Sequence, residues 1–289
     1  MSPRLHADLI AELVDAGSRE HYSDAALYDY EYRRRRADVG FYRELARKRL
    51  GDGGRILELG AGSGRVTIPL ARAGHEVVAA DSSPAMLAKL RARVAALPLS
   101  VQKRITIVED DLRDFDVGKK FPLVIAVFNV IEHLYTRVEV DACLRRVVAH
   151  LAPDGAFAFD VQMPDLAWLL RDPAKRWAKT RFTDPVTKRA MFYSTNHDYD
   201  PVGQIALIRL YYEPVDGKGP TKIVKLSQRK FFPAELEALV AHAGLRVVER
   251  YGDFGWRPLD ATAESQVLVC EKAISRRENT VSRRGFRSR

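Results

Sequence analysis

The sequence predicts an α/β protein: a doubly wound sheet with an inserted antiparallel β subdomain and N-terminal helices. Residues 55–162 alternate apolar strands with helical segments five times, as a parallel sheet covered on both faces requires. Residues 175–232 instead show period-two segments separated by Asp, Gly and Pro turns, which is typical of antiparallel strands. The first 54 residues show the apolar spacing of amphipathic helices.

Tyrosines are concentrated in the N-terminal helical region. Helices are expected over about residues 5–16 and 35–50, and four tyrosines fall within 11 residues between them. Their electron-rich faces would suit a segment that closes over a cationic ligand. A tyrosine-rich face packed on the core explains the pattern equally well. The four are Tyr22, Tyr28, Tyr30 and Tyr32.

The net charge of +9 is concentrated at the C-terminus. Residues 274–289 hold six arginines and one glutamate without helical or strand periodicity, so we expect a disordered, solvated tail, with a nucleic-acid arm as the alternative. The chain then divides into an N-terminal helical cap (1–54), a core (55–167 and 233–273), an inserted sheet acting as substrate lid or oligomerisation surface (168–232), and the tail (274–289).

The segment 55–81, RILELGAGSGRVTIPLARAGHEVVAAD, carries most of the functional information. An apolar strand runs into a loop with Gly60, Gly62 and Gly64, and a helix follows. The missing Cβ atoms let the main chain approach a ligand, and the helix presents its free N–H groups to it. A second apolar strand ends at Asp81, a carboxylate suited to two ribose hydroxyls. This order of elements predicts a nucleoside-binding crevice.

The G-x-G-x-G spacing, preceded by Glu58 and followed by Asp81, resembles the first motif of class I S-adenosylmethionine-dependent methyltransferases. The resemblance implies a Rossmann-like sheet of order 3-2-1-4-5-7-6 with the last strand antiparallel. It also implies S-adenosylmethionine as cofactor and S-adenosylhomocysteine as product. The glycine loop would serve the methionine part and Asp81 the ribose. A dinucleotide fold would show G-x-G-x-x-G instead, which disfavours a nicotinamide dehydrogenase.

The resemblance extends to residues after the second and third strands. Met86 would lie against the adenine, although it also suits the core of an amphipathic helix. Asp111 would accept from the adenine amino group, with Asp110 as an adjacent rival, and the N–H of Leu112 would meet a ring nitrogen. The cofactor-binding residues implied are Glu58, Gly60, Gly62, Gly64, Asp81, Ser82, Met86, Asp111, Leu112, Asn129 and Tyr28.

The end of the fourth strand, FNVIEHL, resembles the form found among small-molecule methyltransferases. It lacks the Asn/Asp-Pro-Pro-Tyr/Phe signature of enzymes that methylate nucleobase amines. Asn129 directly follows an apolar strand, and neither a helix nor a strand requires an amide side chain at this position, so we expect Asn129 to line the site. His133 is a candidate base or substrate contact, and a structural histidine is the alternative. The catalytic candidates are His133, His197 and Tyr22, with Tyr193 and Tyr199 as further proton acceptors.

Composition excludes several classes of protein. With 46% hydrophobic and 29% charged residues among 289, the chain resembles an ordinary water-soluble protein, and no run approaches the roughly 20 apolar residues of a membrane span. Cys143 falls in a predicted helix and Cys270 in a predicted strand, which favours a reducing compartment, the cytoplasm. The histidines show no metal-ligand spacing, so we predict no metal.

The function expected is methyl transfer to nitrogen or oxygen of a small-molecule metabolite. One alternative is an RNA or protein methyltransferase, which the basic tail favours and the lack of a basic, aromatic-interleaved module disfavours. Another is a non-catalytic protein that binds S-adenosylmethionine. The expected partner is the small-molecule substrate, without nucleic acid or membrane, and the inserted sheet could pair two copies into a homodimer.

Overall fold

The computed structural model describes residues 3–273, with side chains from residue 8 onward. In this part of the chain the strands are β1 (Arg55–Leu59), β2 (Glu76–Asp81), β3 (Ile105–Glu109), β4 (Phe121–Ala126), β5 (Leu151–Gln162), β6 (Trp177–Thr183), β7 (Ala190–Asp200), β8 (Ile205–Pro214), β9 (Lys222–Arg229), β10 (Leu245–Tyr251) and β11 (Ser265–Lys272). The helices are α1 (Pro3–Ser23), α2 (Ala25–Glu31), α3 (Ala37–Leu50), α4 (Thr67–Arg72), α5 (Pro84–Ala95), α6 (Leu99–Gln102), α7 (Arg137–His150), α8 (Leu166–Leu169) and α9 (Pro233–His242). A 3₁₀ helix, Val130–His133, lies between β4 and α7.

The larger sheet has seven strands in the order β10-β11-β5-β4-β1-β2-β3. The pairs among β1 to β5 are parallel, whereas β11 is antiparallel to both β5 and β10. This is the predicted order 3-2-1-4-5-7-6 with an antiparallel last strand, so the predicted Rossmann-like fold is confirmed. In such a sheet the carboxyl ends of the parallel strands share one edge, where ligands bind.

Apolar residues of the central strands are buried on both faces of this sheet. Leu57 and Val124 belong to a cluster that includes side chains of α7. Ile56, Leu123 and Ile125 belong to a second cluster, which includes side chains of α3. Burial on both faces explains why these strands are continuously apolar in the sequence rather than alternating.

The second sheet is antiparallel, in the order β6-β7-β8-β9. Its strands all lie within residues 175–232, where the period-two segments predicted antiparallel strands. Apolar side chains of β8 and β9 share a cluster with Leu27 of α2 and Leu169 of α8. The sheet therefore packs against the N-terminal helices.

The N-terminal region is helical over more residues than the sequence suggested. α1 continues to Ser23 instead of ending near residue 16, and Asp24 then caps α2 by accepting the N–H of Leu27 at 3.0 Å. Gly17 lets α1 approach β9, because a Cβ there would lie 2.5 Å from the nitrogen of Ser227. The tyrosine-rich segment is thus helical and connects the antiparallel sheet to the edge where ligands bind.

The predicted tail, residues 274–289, lies outside the described residues. Between residues 3 and 273, no helix has the length and apolar character needed to cross a membrane.

Candidate active site

A cleft of about 720 Å³ opens at the carboxyl ends of the parallel strands, under α1 and α2. This volume lies within the range of roughly 300–1,000 Å³ typical of small-molecule sites. Its lining includes most of the predicted cofactor-binding residues: Glu58, Gly60, Gly62, Asp81, Ser82, Met86, Asp111, Leu112 and Tyr28.

The glycine loop needs glycine for two different reasons. Gly60, Gly62 and Gly64 all have positive φ, at 69°, 56° and 86°. A Cβ on Gly60 would lie 2.3 Å from a methyl carbon of Val130, so this glycine allows close packing. A Cβ on Gly62 would meet nothing within 4 Å, and Gly62 lines the cleft. A side chain at Gly62 would therefore occupy ligand space.

Asp81 has unused acceptor capacity at the cleft. Its Oδ2 accepts the N–H of Gly62 at 2.7 Å and its Oδ1 accepts the N–H of Ser83 at 2.8 Å. Burial raises the pKa of this carboxyl. A carboxylate offers about four lone-pair sites, so two remain for hydroxyl donors. The residues present thus fit a vicinal diol such as a ribose.

The two rival acids after β3 both line the cleft. Asp111 accepts from Nη2 and Nε of Arg113 at 2.6 and 2.7 Å, and this guanidinium holds the pKa of Asp111 below its usual value. Asp110 accepts the N–H of Asp111 at 2.9 Å. Since both acids are engaged and both lie at the cleft, the assignment of Asp111 to the adenine stays a prediction.

Glu58 and Met86 are buried in the cleft wall. Glu58 accepts from the hydroxyl of Thr67 at 2.6 Å, and burial raises its pKa to about 7. Met86 is 1% exposed and follows Ser83, which caps α5 as the sequence indicates. Met86 is thus buried and also borders the cleft, and its contact with an adenine stays a prediction.

The N-terminal helices are tied directly to the glycine loop. Asp29 of α2 accepts from the hydroxyl of Ser63 at 2.6 Å, and its other oxygen lies 2.9 Å from Arg93. The ring of Tyr28 borders the cleft. These contacts hold α2 against the glycine loop.

Two predicted catalytic residues meet in the cleft. The hydroxyl of Tyr22 lies 2.6 Å from Nε2 of His133, although 111 positions separate them. Nδ1 of His133 lies 3.1 Å from the hydroxyl of Tyr135, which in turn donates to the carbonyl of Ser227 at 3.1 Å. Burial lowers the pKa of His133 to about 4. The imidazole is therefore neutral near pH 7, and the same burial disfavours its protonated form.

Asn129 is not among the side chains that line the cleft in the described part of the chain; Phe128 and Val130 on either side of it are. Phe128 and Asn129 have positive φ, at 72° and 61°. Asp160, a residue that the sequence analysis missed, accepts their N–H groups at 2.9 and 3.2 Å. The cost of this strained turn is thus offset by a buried carboxylate, whose pKa burial raises to about 6.

His197 lies elsewhere, so its prediction as a catalytic residue is not supported by its position. It is on β7, where its ring stacks on Trp168 with centroids 3.7 Å apart. Its Nε2 is 2.6 Å from the carbonyl of Trp168. These contacts give His197 a structural role in holding α8 against the antiparallel sheet.

Comparison with known proteins agrees with this geometry. Residues 56–155 match the family described as "Methyltransferase domain". The chain is 32% identical over 149 residues to dTDP-3-amino-3,6-dideoxy-alpha-D-glucopyranose N,N-dimethyltransferase of Streptomyces fradiae, covering 48% of this chain and 54% of that protein. The chain thus spans about half the length of that relative. It is 26% identical to the cypemycin N-terminal methyltransferase of a Streptomyces species, over 76% of this chain and 84% of that one.

Solved structures extend the similarity to nearly the whole fold. The CcbJ methyltransferase from Streptomyces caelestis superposes with a TM-score of 0.73 at 27% identity, over 89% of this chain and 99% of that one. Streptomyces venezuelae DesVI has a TM-score of 0.66 at 21% identity, over 86% and 97% of the two chains, which bears on the fold alone.

Proposed function

We propose that this protein transfers the methyl group of S-adenosylmethionine to a small-molecule amine, because residues 56–155 match a methyltransferase domain and the larger sheet has the class I strand order. The observation that carries the proposal is the position of the Tyr22–His133 pair in the same cleft as Gly62 and Asp81. The Tyr22–His133 pair, which could take part in proton transfer, thereby borders the glycine loop. Transfer to a hydroxyl oxygen is the alternative.

The cleft offers matching groups for each part of the cofactor. Asp81 would hold the ribose, Met86 and Asp111 would border the adenine, and the main chain at Gly60 and Gly62 would receive the methionine part. When bound, S-adenosylmethionine supplies an electrophilic methyl group on a positively charged sulfur.

The protein's own residues would position the acceptor and remove its proton. The acceptor nitrogen must lose a proton around the transfer, and Tyr22 could accept it while passing its own proton to Nε2 of His133. Because burial disfavours the protonated imidazole, His133 would pass that proton on to water at the cleft rather than hold it. The ring of Tyr28 would exclude water and tolerate positive charge. Holding the nitrogen in line with the methyl group would supply the largest part of the rate enhancement.

The relatives that align over about three quarters of this chain are named as N-methyltransferases, whereas the ubiquinone biosynthesis O-methyltransferases match only 35–46% of it. The Streptomyces fradiae protein is named for N,N-dimethylation of an amino sugar nucleotide, and the cypemycin enzyme for methylation of an N-terminus. Both printed names describe methylation at an amine. We therefore propose an amine on a small, polar metabolite.

The antiparallel sheet and the N-terminal cap are proposed to act together as a lid over the acceptor. Glu31 of α2 accepts from the hydroxyl of Tyr212 on β8 at 2.5 Å, which joins the two parts. The proposal includes the division of the chain into cap, core and inserted sheet. It also includes a homodimer formed through the inserted sheet. Cys143 and Cys270 are free, buried thiols, which supports a reducing compartment such as the cytoplasm.

A turnover assay tests the proposed function. The protein is incubated with S-adenosylmethionine and a panel of small amines, alcohols and phenols, and release of S-adenosylhomocysteine is measured. Turnover of at least one amine, strongly lowered in His133→Asn, supports the proposal. Turnover of phenols or alcohols alone would instead identify oxygen as the acceptor atom. Cofactor binding without any turnover would favour a non-catalytic binding protein.

A further inference from the structure

A lysine is completely buried where the antiparallel sheet meets the core. Lys230 directly follows β9 and is 1% exposed. Its Nζ donates to Glu132 Oε2 at 2.8 Å, to Gln162 Oε1 at 2.9 Å and to Gln228 Oε1 at 3.0 Å. An ammonium group has three N–H donors, so each has an acceptor.

The partner of Lys230 lies next to the candidate base. Glu132 is 0% exposed and belongs to the 3₁₀ helix that ends at His133. Its Oε1 accepts the N–H of Gln162, the last residue of β5, at 2.7 Å. The ion pair therefore joins three segments: the end of β9, the end of β5 and the 3₁₀ helix.

Stability alone does not require such a pair. Removing two charges from water costs several kcal/mol per ion, and apolar replacements of buried pairs are often neutral or stabilising. What an ion pair adds is a fixed geometry: Gln162 and Gln228 hold the ammonium group of Lys230, and its third donor holds the carboxylate of Glu132 at one place. The N–H of Glu132 also bonds to the carbonyl of Asn129 at 3.0 Å, so the turn has little freedom once that carboxylate is held.

We propose that Lys230 is a positioning residue that, through Glu132, holds the imidazole of His133 against Tyr22. The inference rests on the proposed function for its purpose, but the geometry it claims is independent of any substrate. Within the described residues, the hydrogen-bond partners of the His133 ring are hydroxyl groups: Tyr22 of α1 at Nε2, and Tyr135 at Nδ1. The antiparallel sheet thereby determines where the candidate base lies, although β7, β8 and β9 contribute no residue to the lining of the cleft.

The test compares imidazole nitrogen spectra of His133, recorded by NMR on the full chain labelled with ¹⁵N-histidine. Tyr22→Phe provides the reference, because it removes the hydroxyl contact at Nε2 without touching Lys230. Lys230→Met is expected to reproduce most of the change seen in Tyr22→Phe. Arg209→Met is the matched control: Arg209 is on β8 and pairs with Asp198 of β7 within the antiparallel sheet, so the spectrum of His133 should not change.

A second variant keeps the test decisive if Lys230→Met does not fold, since it leaves a buried carboxylate unpaired. The double variant Glu132→Leu, Lys230→Met replaces the pair with apolar groups and is expected to fold. Its Nε2 signal from His133 should still change as it does in Tyr22→Phe. A folded variant that retains the wild-type spectrum of His133 would overturn the proposal. Failure of the protein to bind S-adenosylmethionine would count against the proposed function and leave this result unaffected.

Discussion

The two ends of the cleft are built in different ways. At the nucleoside end, Gly62 and Asp81 come from one segment and bond to each other across 19 positions. At the other end, Tyr22 and His133 are 111 positions apart, and Glu132 and Lys230 are 98 apart. The first end depends on local main-chain geometry, and the second on the packing of the cap and the antiparallel sheet. Binding and turnover should therefore respond to different substitutions.

The largest expected effect is at the nucleoside end. Gly62→Val should abolish measurable binding of S-adenosylmethionine in calorimetry, because the side chain enters the cleft. Gly118→Val is the matched control: Gly118 also has positive φ, at 62°, with open space around its Cα, but it is exposed and away from the cleft. Both variants carry a similar strain of about 1–2 kcal/mol. Normal binding by folded Gly62→Val would remove the loop from the site.

The next effect concerns the acceptor end. His133→Asn should lower kcat by about 10²-fold, because general base groups typically contribute 10²–10⁴-fold. Its affinity for S-adenosylmethionine should change little. Since the pKa of His133 is lowered to about 4, protonation of His133 should not reduce the rate between pH 6 and 8. His197→Asn serves as control and should retain wild-type turnover; a larger loss there than in His133→Asn would reverse the assignment.

Asp81→Ala is expected to weaken binding of S-adenosylmethionine by about 1–3 kcal/mol, a factor of roughly 5 to 150. It removes the acceptor of two hydroxyl groups and also releases the N–H of Gly62. The affinity of Asp81→Asn for S-adenosylmethionine should lie between those of Asp81→Ala and the wild type in the same titration. Unchanged affinity in the alanine variant would exclude Asp81 from the ribose site.

The smallest effect is on stability, at the contact between cap and sheet. Burial raises the pKa of Glu31 to about 7 from an ordinary value of 4.5. Folding therefore favours the neutral form, and the stability this contributes is present at low pH and lost as the pH rises through 7. Glu31→Gln should be more stable than the wild type at pH 8 by about 1–3 kcal/mol, with a smaller difference at pH 5.

Urea unfolding at the two pH values checks this, with Glu237→Gln as the control. Glu237 pairs with Arg250 on the surface, where such pairs contribute little, so its removal should have nearly the same small effect at both pH values. If Glu31→Gln were less stable than the wild type at pH 8, Glu31 would be charged and stabilising in the folded protein.

Much of the fold and the nucleoside end could be predicted because their signals are local. The glycine spacing, the apolar strands and Asp81 lie within 27 residues, and each has a backbone reason. The period-two segments likewise predicted the antiparallel sheet. The ends of helices and strands could not be predicted as well. α1 continues through residues 17–23 because it packs on β9, and the local sequence carries no sign of this packing.

The acceptor end could be predicted only in part. Tyr22 and His133 were candidates by residue type, but their contact depends on the path of α1 over the antiparallel sheet. Asp160 was missed although an acid in the apolar strand AFAFDVQ is a usable signal. Lys230 was missed because a lysine at a strand end reads as a solvated residue, and only the tertiary structure brings Glu132 to it.

A crystal structure with S-adenosylhomocysteine bound tests the central claim most directly. The account predicts ribose hydroxyls on the carboxylate of Asp81, the amino-acid end against the main chain at Gly60 and Gly62, and the sulfur on the side of the cleft where Tyr22 meets His133. A ligand bound with its sulfur turned away from that pair, or an empty cleft with the ligand elsewhere, would contradict it.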